Sequence, residues 1–189
     1  HTLNGVYITP VSLVETGVAH LQRILAEEKI GLAICPGAEV HTAEGFAAQV
    51  LDGRAGTLNH NGRYVLVEFP FRSMNPGVAE ALQQLVAAGV TPVIAHPERN
   101  AVLQRSLDVA YDLVEMGCLM QITAMSITGE MGEKARRCAH SLLERGLSHI
   151  IASDSHSPQW RPPVLSHGVA AAAATGKADK KDVAEIRHI

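Results

Sequence analysis

Short apolar runs of strand length alternate along the chain with longer segments whose apolar residues recur at helical spacing. The strand-length runs are residues 31–36, 64–69, 90–95, 118–123 and 148–153. The helical segments include residues 12–29, 75–88, 108–116 and 134–145, and residues 169–174 fit either a helix or a linker. Because two parallel strands need a long crossover connection, this alternation predicts an α/β fold with a parallel sheet or barrel. The runs lack polar alternation, which indicates strands covered on both faces.

Composition limits the classes of partner. The 189 residues carry a formal net charge of −3, and the sequence pI is about 6.4, so the chain has no basic field that would gather nucleic acid or anionic lipid. No apolar run approaches the roughly 20 residues needed to cross a bilayer, so we do not expect membrane insertion. The length fits one domain, which we expect to span residues 1–189.

The cysteines indicate a reducing compartment. Cys35, Cys118 and Cys138 are widely spaced and lie in apolar or helical segments. This pattern is typical of reduced thiols in a protein core. We therefore expect a cytoplasmic protein.

Polar side chains follow four of the five apolar runs. Glu39 follows the first run, Glu68 closes the second, His96 follows the third, and Asp154 and His156 follow the fifth. Catalytic groups gather at the carboxyl ends of strands in barrels and open α/β sheets, because loops converge there on a rigid frame. The sequence therefore predicts that these five side chains meet at one edge.

Imidazole nitrogen combined with carboxylate oxygen is the ligand set of zinc, manganese and iron, and bridging carboxylates suit more than one ion. Asp154 and His156 leave an extended segment on the same side, so both can reach one ion or two adjacent ions. Each residue also has a simpler interpretation: Glu68 as a polar strand end, His96 as a hydrogen-bonded core histidine, and Asp154 as a turn cap. The joint placement favours the metal site.

Two arginines suggest what such a site would bind. Arg99 follows His96 by three residues, and Arg161 follows Asp154 by seven. A planar, permanently charged guanidinium beside a metal site suits a phosphate oxyanion, although either arginine also fits an ordinary surface ion pair. A cysteine nucleophile is not indicated, because the C-x5-R phosphate loop is absent from the sequence.

The motifs that carry these residues resemble a known family. They are PGAEVH (residues 36–41), YVLVEF (64–69), IAHPERN (94–100), ASDSH (152–156) and RPP (161–163). In this order and spacing they resemble the polymerase and histidinol phosphatase (PHP) superfamily. Within it, they are similar to the manganese-dependent protein-tyrosine phosphatases of bacterial capsule and exopolysaccharide operons.

The resemblance implies a distorted (β/α)7 barrel of the TIM-like PHP fold and a metal cluster of about two to three ions. Manganese is the metal that it implies, with zinc or iron as alternatives. By residue matching, it implies six metal ligands and two phosphate-binding arginines. The ligands are His1, Glu39, Glu68, His96, Asp154 and His156, and the arginines are Arg99 and Arg161.

The resemblance also implies a partner, the phosphotyrosine-bearing tail of a bacterial tyrosine autokinase that controls polysaccharide export. The family carries an H-x-H motif on its first barrel strand, and no such motif stands before His1 in this sequence. We therefore expect this chain to lack the first strands of the barrel. Two alternatives to a tyrosine phosphatase remain: a histidinol-phosphate phosphatase, and a domain that binds a phosphorylated protein without catalysis. The oligomeric state is open.

Overall fold

Five parallel strands and the helices between them form the part of the chain that the computed structural model describes, residues 1–175. The strands β1 to β5 form one sheet in sequential order, with parallel pairs β1–β2, β3–β4 and β4–β5. They are β1 (Glu39–His41), β2 (Tyr64–Glu68), β3 (Thr91–Ala95), β4 (Leu119–Thr123) and β5 (Ile150–Ala152). The helices are α1 (Val11–Glu27), α2 (Phe46–Leu51), α3 (Val78–Ala87), α4 (Asp108–Glu115), α5 (Ala124–Thr128), α6 (Glu133–Glu144) and α7 (Ser166–Ala174). The predicted α/β fold with a parallel sheet is confirmed.

The chain divides into two compact units, and the first comprises residues 1–68 and 75–92. In this unit Val40 of β1 lies opposite Val67 of β2, and both side chains are fully buried. Helix α3 contributes Leu82 and Leu85, which are also fully buried. The same register sets His41 opposite Glu68, so apolar packing between the strands fixes where the carboxylate that ends β2 lies.

The second unit comprises residues 69–74 and the chain from residue 93 onward. Its core is built on β4, whose Met120 and Ile122 are fully buried. Leu142 of α6 and Ile127 of α5 are buried in the same unit. Since helix α5 begins directly where β4 ends, its first turn lies at the carboxyl end of that strand.

Four of the predicted strands are confirmed within two residues at each end, but the strand predicted at residues 31–36 is wrong. That segment carries no strand, and Leu32 in it is 55% exposed. Pro36 has no N–H to donate to a ladder, and β1 begins only at Glu39. Cys35 was expected in the core, but it lies in this segment outside the sheet and is exposed. Cys118 and Cys138 are buried as predicted.

The segment that sequence left between helix and linker is helix α7. Its Gly168 lies against α5 so closely that a Cβ on Gly168 would stand 2.6 Å from the Cβ of Ala124. Such a Cβ would also lie 2.7 Å from the Cα of Ala124, a backbone atom that cannot move aside like a side-chain tip. The absence of a side chain at this position is therefore what allows the two helices to touch.

None of the helices in residues 1–175 combines the length and the hydropathy needed to cross a membrane. The prediction of a single domain over residues 1–189 stays a prediction, and its last residues, 176–189, lie outside the described part.

We expect Gly168→Ala to destabilise the protein by about 1 to 3 kcal/mol, because the added methyl group overpacks the contact with α5. The measurement is the urea midpoint of unfolding. Gly17→Ala in α1 is the matched control, since a Cβ there meets no atom within 4 Å and alanine favours helix by up to about 1 kcal/mol. Equal midpoints for the two variants would contradict the close contact.

We also expect one histidine to make the fold sensitive to acid. Burial lowers the pKa of His149 from its usual 6.5, and its Nδ1 accepts a hydrogen bond from the Met120 N–H at 3.1 Å. The unfolded chain then binds more protons as the pH falls below about 6.5, so stability is lost in that direction. His149→Asn keeps an acceptor and does not titrate. Its unfolding free energy should fall less steeply than that of the wild type between about pH 7 and 5.5; parallel curves would contradict this assignment.

Candidate active site

The first unit brings an imidazole and two carboxylates together. The Nδ1 of His1 lies 2.9 Å from Oε2 of Glu39 and 3.7 Å from Oε2 of Glu68. One ligand atom from each of these residues lies within 4.8 Å of the other two. Nitrogen and oxygen donors at such separations fit a single zinc, manganese or iron ion, so the residues suit the metal that the resemblance implies.

Backbone hydrogen bonds position this cluster. The Thr2 N–H donates to the Glu39 carbonyl at 2.9 Å, and the His41 N–H donates to the Thr2 carbonyl at 3.0 Å. Thr2 thereby forms a parallel bridge beside Val40 of β1, and His1 is held next to the strand. Glu68 is the last residue of β2 and is only 9% exposed. A buried carboxylate is costly unless it is paired or binds a cation, and the His1 imidazole, 3.7 Å from Oε2 of Glu68, is one such partner.

In the second unit, a tight turn follows β3. His96 is buried and has a φ of 33°, in the left-handed region. A 3₁₀ turn over Pro97–Arg99 follows it directly. Non-glycine residues in this region cost free energy and cluster at functional sites. The left-handed conformation of His96 changes the direction of the chain. The side chains of His96 and Arg99 therefore project from the same short turn.

Asp154, after β5, binds both arginines. Its Oδ2 accepts a hydrogen bond from Arg99 Nη1 at 3.1 Å and another from Nη2 of Arg161. All three side chains are largely buried, with 12% of Asp154, 22% of Arg99 and 23% of Arg161 exposed. Two guanidinium groups on one carboxylate leave a net positive charge in a poorly solvated place. Such a place suits an anion with several acceptor oxygens.

The loop that carries Arg161 closes on that residue's own carbonyl. This oxygen accepts hydrogen bonds from the N–H groups of His156 at 3.0 Å and Ser157 at 3.3 Å, and from the Ser155 hydroxyl at 2.9 Å. The loop therefore returns Arg161 to Asp154. His156 Nδ1 lies 3.6 Å from Oδ1 of Asp154 and 2.8 Å from its carbonyl oxygen.

Glu98 is a structural residue that sequence reasoning missed. It is fully buried, and its Oε1 accepts hydrogen bonds from the Ser126 hydroxyl at 2.6 Å and the Thr123 N–H at 3.2 Å. Burial raises the pKa of this carboxyl group, which favours its neutral form. Glu98 thereby ties the turn between His96 and Arg99 to the start of α5. Glutamate is rarely buried, so nothing in the sequence indicated that Glu98 lies in the core.

Asn100 also escaped the sequence analysis, and it fixes the loop at residues 70–74. Its Nδ2 donates to the carbonyls of Pro70 at 2.7 Å and Ser73 at 2.9 Å. Its Oδ1 accepts from the N–H groups of Val102 at 2.8 Å and Leu103 at 3.2 Å. A buried amide with these bonds holds two chain segments in one arrangement.

The buried cysteines are poor nucleophiles. Burial raises the pKa of the Cys118 and Cys138 thiols to about 12, so at neutral pH neither supplies the thiolate that a cysteine phosphatase needs. The structure thus agrees with the absence of a C-x5-R loop.

Comparison with known proteins decides the family. A model of the family described as capsular polysaccharide synthesis, CpsB/CapC, matches residues 1–188. The chain belongs to this family. The resemblance to the capsule-operon tyrosine phosphatases, stated above from the motifs, is confirmed.

Two relatives of the CpsB/CapC family and one solved structure are similar over most of the chain. CapC of Staphylococcus aureus is 31% identical over 165 residues, which are 87% of this chain and 64% of CapC. Tyrosine-protein phosphatase YwqE of Bacillus subtilis (strain 168) is 34% identical over 161 residues, 85% of this chain and 63% of YwqE. The chain therefore spans slightly less than two thirds of the length of each relative.

The solved structure comes from work on YwqE of Bacillus subtilis and CpsB of Streptococcus pneumoniae, described there as unique metal-dependent tyrosine phosphatases. It matches this chain with a TM-score of 0.87 at 28% identity, over 96% of this chain and 73% of that chain. The match therefore includes residues of both units.

The structure brings the predicted residues into two groups, one in each unit. The first unit holds His1, Glu39 and Glu68, and the second holds His96, Arg99, Asp154, His156 and Arg161. The position predicted for Glu39 is wrong, since it begins β1 instead of following a strand. It reaches the cluster because its side chain lies beside His1. Whether the six predicted ligands bind metal stays a prediction.

We expect Glu98→Ala to lower the unfolding free energy by about 3 kcal/mol, because it leaves a cavity and strands the Ser126 hydroxyl and the Thr123 N–H without their acceptor. Glu98→Gln keeps an acceptor oxygen and nearly the same shape, so it should cost less than half as much. Urea unfolding at neutral pH measures both values. Equal losses in the two variants would contradict this prediction.

Proposed function

We propose that this chain is a metal-dependent protein-tyrosine phosphatase that hydrolyses phosphotyrosine on a bacterial tyrosine autokinase. The observation that carries the phosphate part of the proposal is the convergence of Arg99 and Arg161 on Asp154 in a largely buried place. The tyrosine part rests on the relatives, since YwqE is named a tyrosine-protein phosphatase. The capsular polysaccharide family supports a role in polysaccharide regulation.

In the proposal, the metal ligands are His1, Glu39, Glu68, His96, Asp154 and His156, and the metal is manganese, in about two to three ions. Divalent ions held by these residues would lower the pKa of a bound water below that of bulk water and would supply positive charge for phosphoryl oxygens. The cluster of His1 with Glu39 and Glu68 supports this part through its donor set and its separations.

Arg99 and Arg161 would orient the phosphate. A guanidinium presents a planar fork of N–H donors that matches two phosphate oxygens. Asp154 fixes both forks through one oxygen, and this pre-organisation removes the cost of ordering two long side chains when the substrate binds. Their fixed charge then stabilises the phosphoryl group as its negative charge is redistributed during hydrolysis.

The fold proposed for the chain is that of a distorted (β/α)7 barrel in a single domain, to which the described residues contribute five strands. The strictly sequential strand order supports it, because doubly wound sheets reverse their order at a switch point and barrels do not. The proposal also places the protein in the cytoplasm, where the free thiols of its cysteines would remain reduced.

The test of this function is phosphate release from a phosphotyrosyl peptide by the full chain loaded with manganese. We expect turnover that a chelator abolishes and manganese restores, because the proposed ligands must be filled. A histidinol phosphate assay run in parallel would identify the alternative substrate. Peptide binding that persists in chelator without any release would instead indicate a non-catalytic binding domain.

Matched carboxamide variants connect this activity to the cluster. Glu39→Gln should lower both the bound manganese, measured by elemental mass spectrometry, and kcat/KM by at least about tenfold. Glu44→Gln alters an exposed side chain a few residues away and should change neither. Full manganese content and activity in Glu39→Gln would remove Glu39 from the proposed ligands.

A further inference from the structure

Phe71 lies at the arginine that the proposed function assigns to phosphate. The Cζ of Arg99 stands 4.7 Å from the centroid of the Phe71 ring, a cation–π contact. The His96 ring stacks with the same phenyl ring, with 5.8 Å between centroids and 26° between planes. Phe71 nevertheless remains 47% exposed. A large part of an aromatic ring is thus open to solvent next to Arg99.

The Phe71 ring is held in place by its backbone. The Ala101 N–H donates to the Phe71 carbonyl at 2.7 Å, and Asn100 binds the carbonyls of Pro70 and Ser73 on either side. The loop is thereby fixed to the turn that carries Arg99. An exposed phenyl ring on a backbone pinned at three carbonyls is not explained by core packing.

A cavity opens beside this pair. It has a volume of about 380 Å³ and is lined by both Phe71 and Arg99, with Gln104, Met131 and Lys134 among the other residues. Gln104 is itself fixed, since its Nε2 donates to the Glu98 carbonyl at 2.9 Å. The cavity combines an aromatic face, a thioether, two cations and the Glu133 carboxylate, which is itself paired with Arg136 at 2.9 Å. The aromatic face and the cations suit a ligand with an aromatic part and an anionic part.

We propose that Phe71 and this cavity form the subsite for the aromatic ring of the substrate, so that the site selects aryl phosphates over alkyl phosphates. This inference rests on the proposed function and names the part of the substrate that the cavity receives. In an aryl phosphate the ring is joined to phosphorus through a single oxygen. Because the guanidinium of Arg99 lies against the Phe71 ring, a phosphate bound to Arg99 leaves the attached ring within reach of Phe71, and aromatic rings stack at centroid separations of about 4.5–7 Å.

The test compares two phosphonates, which cannot be hydrolysed, by isothermal titration onto the manganese-loaded full chain. Phenylphosphonate carries the ring and methylphosphonate does not. We expect the wild type to bind phenylphosphonate about fivefold more tightly, the ratio that one aromatic stacking contact provides. Because the ratio compares two ligands with the same anionic head, it does not move if a variant only disturbs Arg99.

Variants then locate the preference. Phe71→Leu should bring the ratio to about one, and Phe71→Tyr should preserve it. Tyr111→Leu is the matched control, an exposed aromatic residue on α4 of the same unit, and should leave the ratio unchanged. A wild-type ratio of one would overturn the inference without any variant. An undiminished preference in Phe71→Leu would also overturn it.

The two proposals fail differently. If manganese-dependent phosphate release occurs but the phosphonate ratio is one, the phosphatase stands and the aromatic subsite is wrong. If phenylphosphonate is preferred through Phe71 but no phosphotyrosyl peptide is hydrolysed, the subsite stands as a binding site and the phosphatase proposal is wrong.

Discussion

The burial of one carboxyl group, that of Glu98, is the constraint on which the functional surface of the second unit depends. Its hydrogen bonds to the first turn of α5 fix the short turn after β3. The residues that follow Glu98 in sequence are positioned by this anchor. Arg99 reaches Asp154 and Phe71, and Asn100 holds the loop at residues 70–74. A buried carboxyl group thus sets the position of Arg99, which the proposed function assigns to phosphate.

Most helices and strands were predictable because the spacing of apolar residues in the sequence matches the elements that the structure shows. Four apolar runs became strands, and those in β2, β3 and β4 contain fully buried residues on the parallel sheet. The run at residues 31–36 did not, because its hydropathy is that of a strand but no neighbour covers it, and Pro36 interrupts the ladder. Helix α5 was missed because five residues are too few to display a helical period.

The candidate site was predictable where chemistry shows in residue type, and unpredictable where it depends on contacts. Acids and histidines after strands are visible in the sequence, so His96 and Asp154 were identified. The hydrogen bonds of Glu98 join residues that are 25 and 28 positions apart in the sequence. A local sequence pattern cannot predict such contacts. Phe71 was missed because an isolated phenylalanine is usually interpreted as a core residue. In the structure almost half of its surface is exposed.

The loop closed by the carbonyl of Arg161 is held by two backbone N–H groups and the Ser155 hydroxyl, and its tip is closed by a hydrogen bond from the Trp160 N–H to the Ser157 hydroxyl. That tip carries Trp160, which is 84% exposed and is the single tryptophan of the chain. Trp160 is joined to Arg161 by one peptide bond, so its indole lies close to the surroundings of that arginine. The protein therefore contains its own fluorophore at the loop, and emission from an unlabelled sample reports any change in solvent or charge that an arriving anion produces there.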